Sequence, residues 1–102
     1  MFGWIKRLLG GTPVDFKELV GKGAVIVDVR TPGEFGSGHI NQSVNIPLDT
    51  LKQNITKLRN MQVPVIAVCR SGNRSSMAVA QLKQAGIEAY NGGAWTSLQN
   101  RL

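Results

Sequence analysis

Cys69, Arg70, Ser71, Gly72, Asn73, Arg74 and Ser75 are the residues whose types and spacing could carry chemistry. A thiol is followed within six residues by two cations, two hydroxyls and a glycine. The segment sits where an apolar, β-branched run (Val63 to Val68) ends and a helical pattern with Met77, Val79, Ala80 and Leu82 begins. The free N–H groups of a helix's first turn, with those of a tight loop, form an anion-binding nest. A thiol at its mouth is expected to be held as thiolate, a nucleophile in a ring of donors. The competing reading is a buried structural cysteine, but polar and cationic neighbours do not suit an apolar niche. Arg70 and Arg74 can each also be read as ordinary surface charges, the default for arginine.

Those residues need a scaffold, and composition bounds it. A chain of 102 residues, 42% hydrophobic and 18% charged, suits one compact domain. No apolar segment is long enough to span a bilayer, and the start lacks the pattern of a signal peptide. A cytoplasmic location is the default expectation. The single cysteine excludes an internal disulfide and a four-cysteine zinc site, so whatever Cys69 takes up must pass to an outside molecule. No cofactor or metal is expected, and His39 has no second histidine or acidic ligand at metal spacing. The formal charge of +6 comes from residues spread along the chain. That pattern suits solubility and the attraction of a small anion, not nucleic acid.

Residues 1–11 form an N-terminal arm in which Phe2, Trp4, Ile5, Leu8 and Leu9 mix with Lys6 and Arg7 before Gly10-Gly11. It could pack on the domain, pair two copies or lie at a membrane surface. Packing is the favoured use, because so short a segment binds membrane weakly alone. Residues 12–102 form the domain. Asp15 caps a short helix through Val20, with Glu18 as its capping-box partner. Ala24–Val29 reads as a strand buried on both faces, ending at Asp28 and followed by Arg30. Thr31 caps a helical turn with Pro32 at its first position. Ser43–Pro47 is a short extended piece, and Leu48, Leu51, Ile55 and Leu58 predict an amphipathic helix near 48–60. A helix from about Arg74 to Ala85 follows the thiol loop. Ile87–Tyr90 is a last strand, and Asn91-Gly92-Gly93 turns into a closing helix with Trp95 and Leu98. Alternating strands and helices give an α/β domain with a mainly parallel sheet, whose ligands sit beyond the carboxyl ends of strands.

Asp28-Val29-Arg30, Glu34-Phe35, Gly38-His39-Ile40, Asn45-Ile46-Pro47 and Cys69 through Ser75, with Gly92-Gly93 before Trp95, together resemble the rhodanese family of sulfurtransferases in its small single-domain form. Each piece alone is weak; the ordered set from about Val14 to Trp95 is specific. The resemblance implies a three-layer domain with a five-stranded parallel sheet flanked by helices. It also implies that Cys69 takes sulfane sulfur from an anionic donor such as thiosulfate or a persulfide. The sulfur would then pass to cyanide, a thiol or a protein acceptor. Arg70, Ser71, Gly72, Asn73, Arg74 and Ser75 would surround the carried sulfur, and Asp28, Arg30, Glu34 and His39 would brace the loops beneath. Gln42-Ser43 stands where the family usually has glycine and alanine, a change expected to be harmless. Two rival readings stay open. One is a sulfur-carrier or docking module without turnover of its own. The other is a cysteine phosphatase or arsenate reductase, disfavoured because only four residues separate Cys69 from Arg74 and no Asp follows Cys69 to serve as the acid.

Overall fold

The computed structural model describes residues 13–102, so the N-terminal arm of residues 1–11 lies outside the described residues. The elements run α1 (Phe16–Gly21), β1 (Val25–Asp28), α2 (Pro32–Gly36), β2 (Val44–Asn45), a 3-10 helix (Leu48–Asn54), α3 (Ile55–Met61), β3 (Val65–Cys69), α4 (Asn73–Gln84), β4 (Ala89–Ala94) and α5 (Trp95–Gln99). All strand pairs are parallel, in the order β2-β1-β3-β4.

The two central strands explain the layering. Along β3, Val65, Ala67 and Cys69 point to one face with Val27, Leu51, Leu58, Ala78, Val79 and Leu82. Ile66 and Val68 point to the other, with Phe16, Ile26, Ile40 and Leu98. A strand apolar on every residue is what a parallel sheet covered on both faces requires. The three-layer α/β expectation therefore holds. The strand number differs: four strands form among the described residues, not five. The fifth came from the resemblance alone. Before β1, Pro13 lacks a ladder donor and Asp15 is committed as a helix cap, accepting from Glu18 N–H at 3.0 Å.

Local differences have local causes. Glu18 does not complete a capping box with Asp15; its carboxylate pairs with Lys22 at 3.2 Å. Thr31 and Glu34 do complete one, the Thr31 N–H reaching Glu34 Oε1 at 3.0 Å and the Glu34 N–H reaching Thr31 Oγ1 at 3.3 Å. Residues 48–54 wind as a 3-10 helix before α3 continues as α-helix, and Leu51 and Leu58 are buried as the stripe requires. Side chains set the tighter turn: Thr50 Oγ1 donates to the Pro47 carbonyl at 3.0 Å and Asn54 Nδ2 to the Thr50 carbonyl at 2.9 Å.

Asn91-Gly92-Gly93 is not a turn but the middle of β4. Ala67 pairs with Asn91 and Val68 with Gly93, leaving Gly92 as an extra residue, a β-bulge. A Cβ on Gly92 would stand 2.8 Å from Val68 Cγ1 and 2.9 Å from Ile66 Cγ2, so the strand closes on β3 only with glycine there.

Gln42 occupies a backbone conformation that suits glycine. Its φ is +74°, the left-handed region that glycine enters without cost. We expect Gln42→Gly to raise stability by a few tenths to about 1 kcal/mol in urea melts, the relief of strain exceeding glycine's entropy cost. Unchanged or lowered stability would show that the loop carries no such strain.

Candidate active site

Cys69 closes β3 and its side chain is 1% exposed. Its neighbours are not apolar on the loop side. The Gly72 N–H points at Sγ from 2.9 Å, the Ser75 N–H from 3.4 Å, and the Ser75 hydroxyl oxygen is also 3.4 Å away. Gly72 makes this aim attainable: its φ of +104° turns the chain back over the sulfur as α4 begins. Burial pushes the Cys69 thiol up, but the Ser75 hydroxyl and the N–H groups of Ser75, Gly72 and Ser71 outweigh it and bring the thiol below its ordinary value. The first-turn N–H groups of Asn73 and Arg74 have no helical acceptor, as at any helix start. The side chains of Arg70, Ser71 and Asn73 are exposed around it. A buried sulfur ringed by backbone donors can hold negative charge and can act as a nucleophile.

Beneath the loop, two ion pairs fix its position. Asp28 is fully buried and Arg30 is 4% exposed. Arg30 Nε donates to both Asp28 oxygens at 2.9 and 3.0 Å, and Nη2 to Asp28 Oδ2 at 2.7 Å. The same guanidinium donates to the carbonyls of Glu34 (3.1 Å) and Gly38 (2.7 Å) and lies 4.8 Å from the Trp95 ring centroid. Glu34 takes both ends of the Arg74 guanidinium, at 2.7 and 2.9 Å. Arg74 is therefore already occupied by a carboxylate while its backbone opens α4. His39 stands apart from this cluster. It is exposed, stacks on Phe35 at 3.7 Å, and donates from Nδ1 to the Phe35 carbonyl at 2.8 Å, bracing its own loop only.

The Glu34–Arg74 pair has a pH signature. The Arg74 guanidinium, then the Thr31 N–H, hold the Glu34 carboxyl at about 2 against an ordinary 4.5, and Glu34 in turn raises Arg74. A carboxyl lowered by folding stabilises the native state above its unfolded value and loses that contribution as pH falls through the folded one. Thermal melts should therefore show the wild type more stable than Glu34→Gln above pH 4.5, the two curves converging as pH falls toward 2. A constant gap across that range would mean that the pair does not act through ionisation.

With the site in view, the comparisons are specific. The family model for the rhodanese-like domain matches residues 12–96. The chain belongs to the rhodanese-like domain family. It is 37% identical over 81 residues to the thiosulfate sulfurtransferase GlpE of Ectopseudomonas mendocina, covering 78% of this chain and 73% of that protein. The uncharacterized protein YqhL of Bacillus subtilis is 42% identical over 69 residues, 67% of this chain and 54% of its own length. The chain thus spans about half of one relative and about three quarters of the other. Among solved structures, the rhodanese-related protein of Thermoplasma volcanium matches with a TM-score of 0.68 and 31% identity, covering 83% of this chain and 85% of that one.

This rhodanese-like domain also holds a polar residue on the Ser75 hydroxyl that the sequence does not announce. Asn91 Oδ1 accepts from the Ser75 hydroxyl at 2.7 Å and from the Gly93 N–H at 2.9 Å, while Nδ2 donates to the Gly72 carbonyl at 3.2 Å. An asparagine before two glycines signals a turn. Its place beside β3 depends on the bulge, which only packing reveals.

Proposed function

We propose that this chain is a sulfurtransferase that carries sulfane sulfur on Cys69. The Cys69 thiolate attacks the outer sulfur of thiosulfate; the sulfur–sulfur bond of the donor breaks and sulfite leaves with its electron pair. The product is a Cys69 persulfide whose charge sits on the outer sulfur, among the N–H groups at the start of α4. Cyanide or a thiolate then attacks that outer sulfur, the bond to Sγ breaks, and thiocyanate or a new persulfide leaves as the Cys69 thiolate returns. A persulfide anion taken from water needs several donors around it, which is the reason for the loop's construction.

The observation that carries this reading is the Cys69 sulfur at the carboxyl end of a parallel strand, held by the Gly72 and Ser75 N–H groups at 2.9 and 3.4 Å. The relative named as a thiosulfate sulfurtransferase supports the choice of donor. The test is intact-mass measurement after incubation with thiosulfate, then thiocyanate formation on adding cyanide. Loading adds about 32 Da, a reversible thiol modification. An unchanged mass with thiosulfate and with glutathione persulfide would overturn the proposal. Loading with negligible turnover would instead support the carrier or docking reading.

A further inference from the structure

Asn91 has an amide whose orientation its partners fix. The Gly93 N–H can only donate, so the atom facing it is Oδ1; the Gly72 carbonyl can only accept, so the atom facing it is Nδ2. Oδ1 is also the atom 2.7 Å from the Ser75 hydroxyl oxygen, and it cannot donate. The Ser75 proton therefore lies on Asn91 in this arrangement. Yet the Ser75 hydroxyl oxygen is 3.4 Å from Cys69 Sγ as well. One hydroxyl proton has two acceptors: Ser75 itself is fully buried against Cys69, while Asn91 stands at the exposed edge of the site.

We propose that Asn91 is a positioning residue: it parks the Ser75 hydroxyl away from the sulfur while Sγ is neutral and releases it to Sγ when the thiol proton leaves. In the neutral state the Cys69 S–H donates to Ser75 Oγ and the Ser75 O–H donates to Asn91 Oδ1. On ionisation the Sγ–H bond breaks and the proton passes to water. The Ser75 O–H bond stays intact and rotates to Sγ, while Asn91 Oδ1 keeps the Gly93 N–H. When sulfur loads, charge moves to the outer atom and the hydroxyl returns to Asn91. The inference rests on the reading that Cys69 works as a thiolate.

Asn91 is separable from loop architecture. The Gly72 carbonyl also accepts the Ser76 N–H at 3.1 Å, so it keeps a helical partner without the amide. The charged and titratable groups around the sulfur remain in place. Arg70 follows it directly, just past the end of β3, and Arg74 on α4 is closed by Glu34 of α2. Asp28 at the end of β1 and Arg30 just past it close on each other, and Tyr90 on β4 donates to Glu88.

Because the chain has one cysteine, the pH dependence of iodoacetamide alkylation reads Cys69 alone. Removing the parking acceptor should favour the thiolate. Asn91→Ala is expected to lower the alkylation midpoint by about half to one pH unit, or roughly three- to tenfold more thiolate on the acid side. Asn91→Asp, a stronger acceptor at the same place, should move it up. In a Ser75→Ala background, Asn91→Ala should cause no shift. An unchanged or raised midpoint in Asn91→Ala, a fall in Asn91→Asp, or an equal fall without the Ser75 hydroxyl would each overturn the inference. Alkylation needs no sulfur donor, so this test can fail while thiosulfate still loads Cys69, and can succeed if loading fails.

Discussion

Cys69→Ser will take up no sulfur from thiosulfate and will form thiocyanate at least about a thousandfold more slowly, with its melting curve little changed. The prediction is sharp because the replacement is small and the site keeps its donors. A serine oxygen can accept the Gly72 and Ser75 N–H groups that reach Sγ. What it lacks is an accessible anion, since an alcohol ionises far above any working pH, and an affinity for sulfur. With no other cysteine in the sequence, no second thiol can take over. Intact mass and a cyanide assay on the purified variant read the two effects separately. Transfer that survives in the folded variant would remove the thiolate from the mechanism.

The largest effect on stability is expected at Arg30. Arg30→Ala should cost about 3–5 kcal/mol in urea melts, because it strands a fully buried carboxylate. Asp28 would keep only the residue-30 backbone N–H, which reaches Oδ1 at 3.1 Å. The carbonyls of Glu34 and Gly38 would lose their guanidinium donors at the same time. Against a typical domain stability of about 5–15 kcal/mol, that is a large fraction. Arg30→Lys should recover little of it, since a single ammonium cannot serve Asp28 and two carbonyls in the planar fork the guanidinium supplies. A loss below about 1 kcal/mol would show that water enters to solvate Asp28, and the pair would then be a minor brace.

How much of this was legible beforehand follows from the range of the forces involved. The strands Val25–Asp28 and Val65–Cys69 announce themselves because every residue must be buried on one face or the other. The Thr31 cap, the Pro32 start and the break after Cys69 are equally local, and the ordered motifs located the thiol loop. The hidden parts span distance in sequence. The Glu34–Arg74 pair joins positions 40 residues apart, so nothing local in the sequence shows that the Arg74 guanidinium is bound to a carboxylate. Asn91 was misread because its own dipeptide signal says turn, while the packing of Gly92 on Val68 and Ile66 says strand. The fifth strand was inferred from kinship alone and has no β-branched run behind it. Gln42 gives no local sign of its positive φ, because that conformation leaves no mark on the type of residue that tolerates it.

The extra residue in β4 has a further consequence. In a strand, sidedness is a parity, and a single insertion reverses the parity of everything downstream. Up to Asn91 the odd-numbered residues of β4 share the face of Cys69; after Gly92 the even-numbered Ala94 is the one that pairs with Cys69, and Trp95 packs with Ile66 and Val68 on the other side. Gly92 is where the odd-and-even pattern of the strand changes over. Excising Gly92 would leave Asn91 opposite Ala67 and Gly93 opposite Val68, so every side chain would keep its face and only the local kink of the bulge would go.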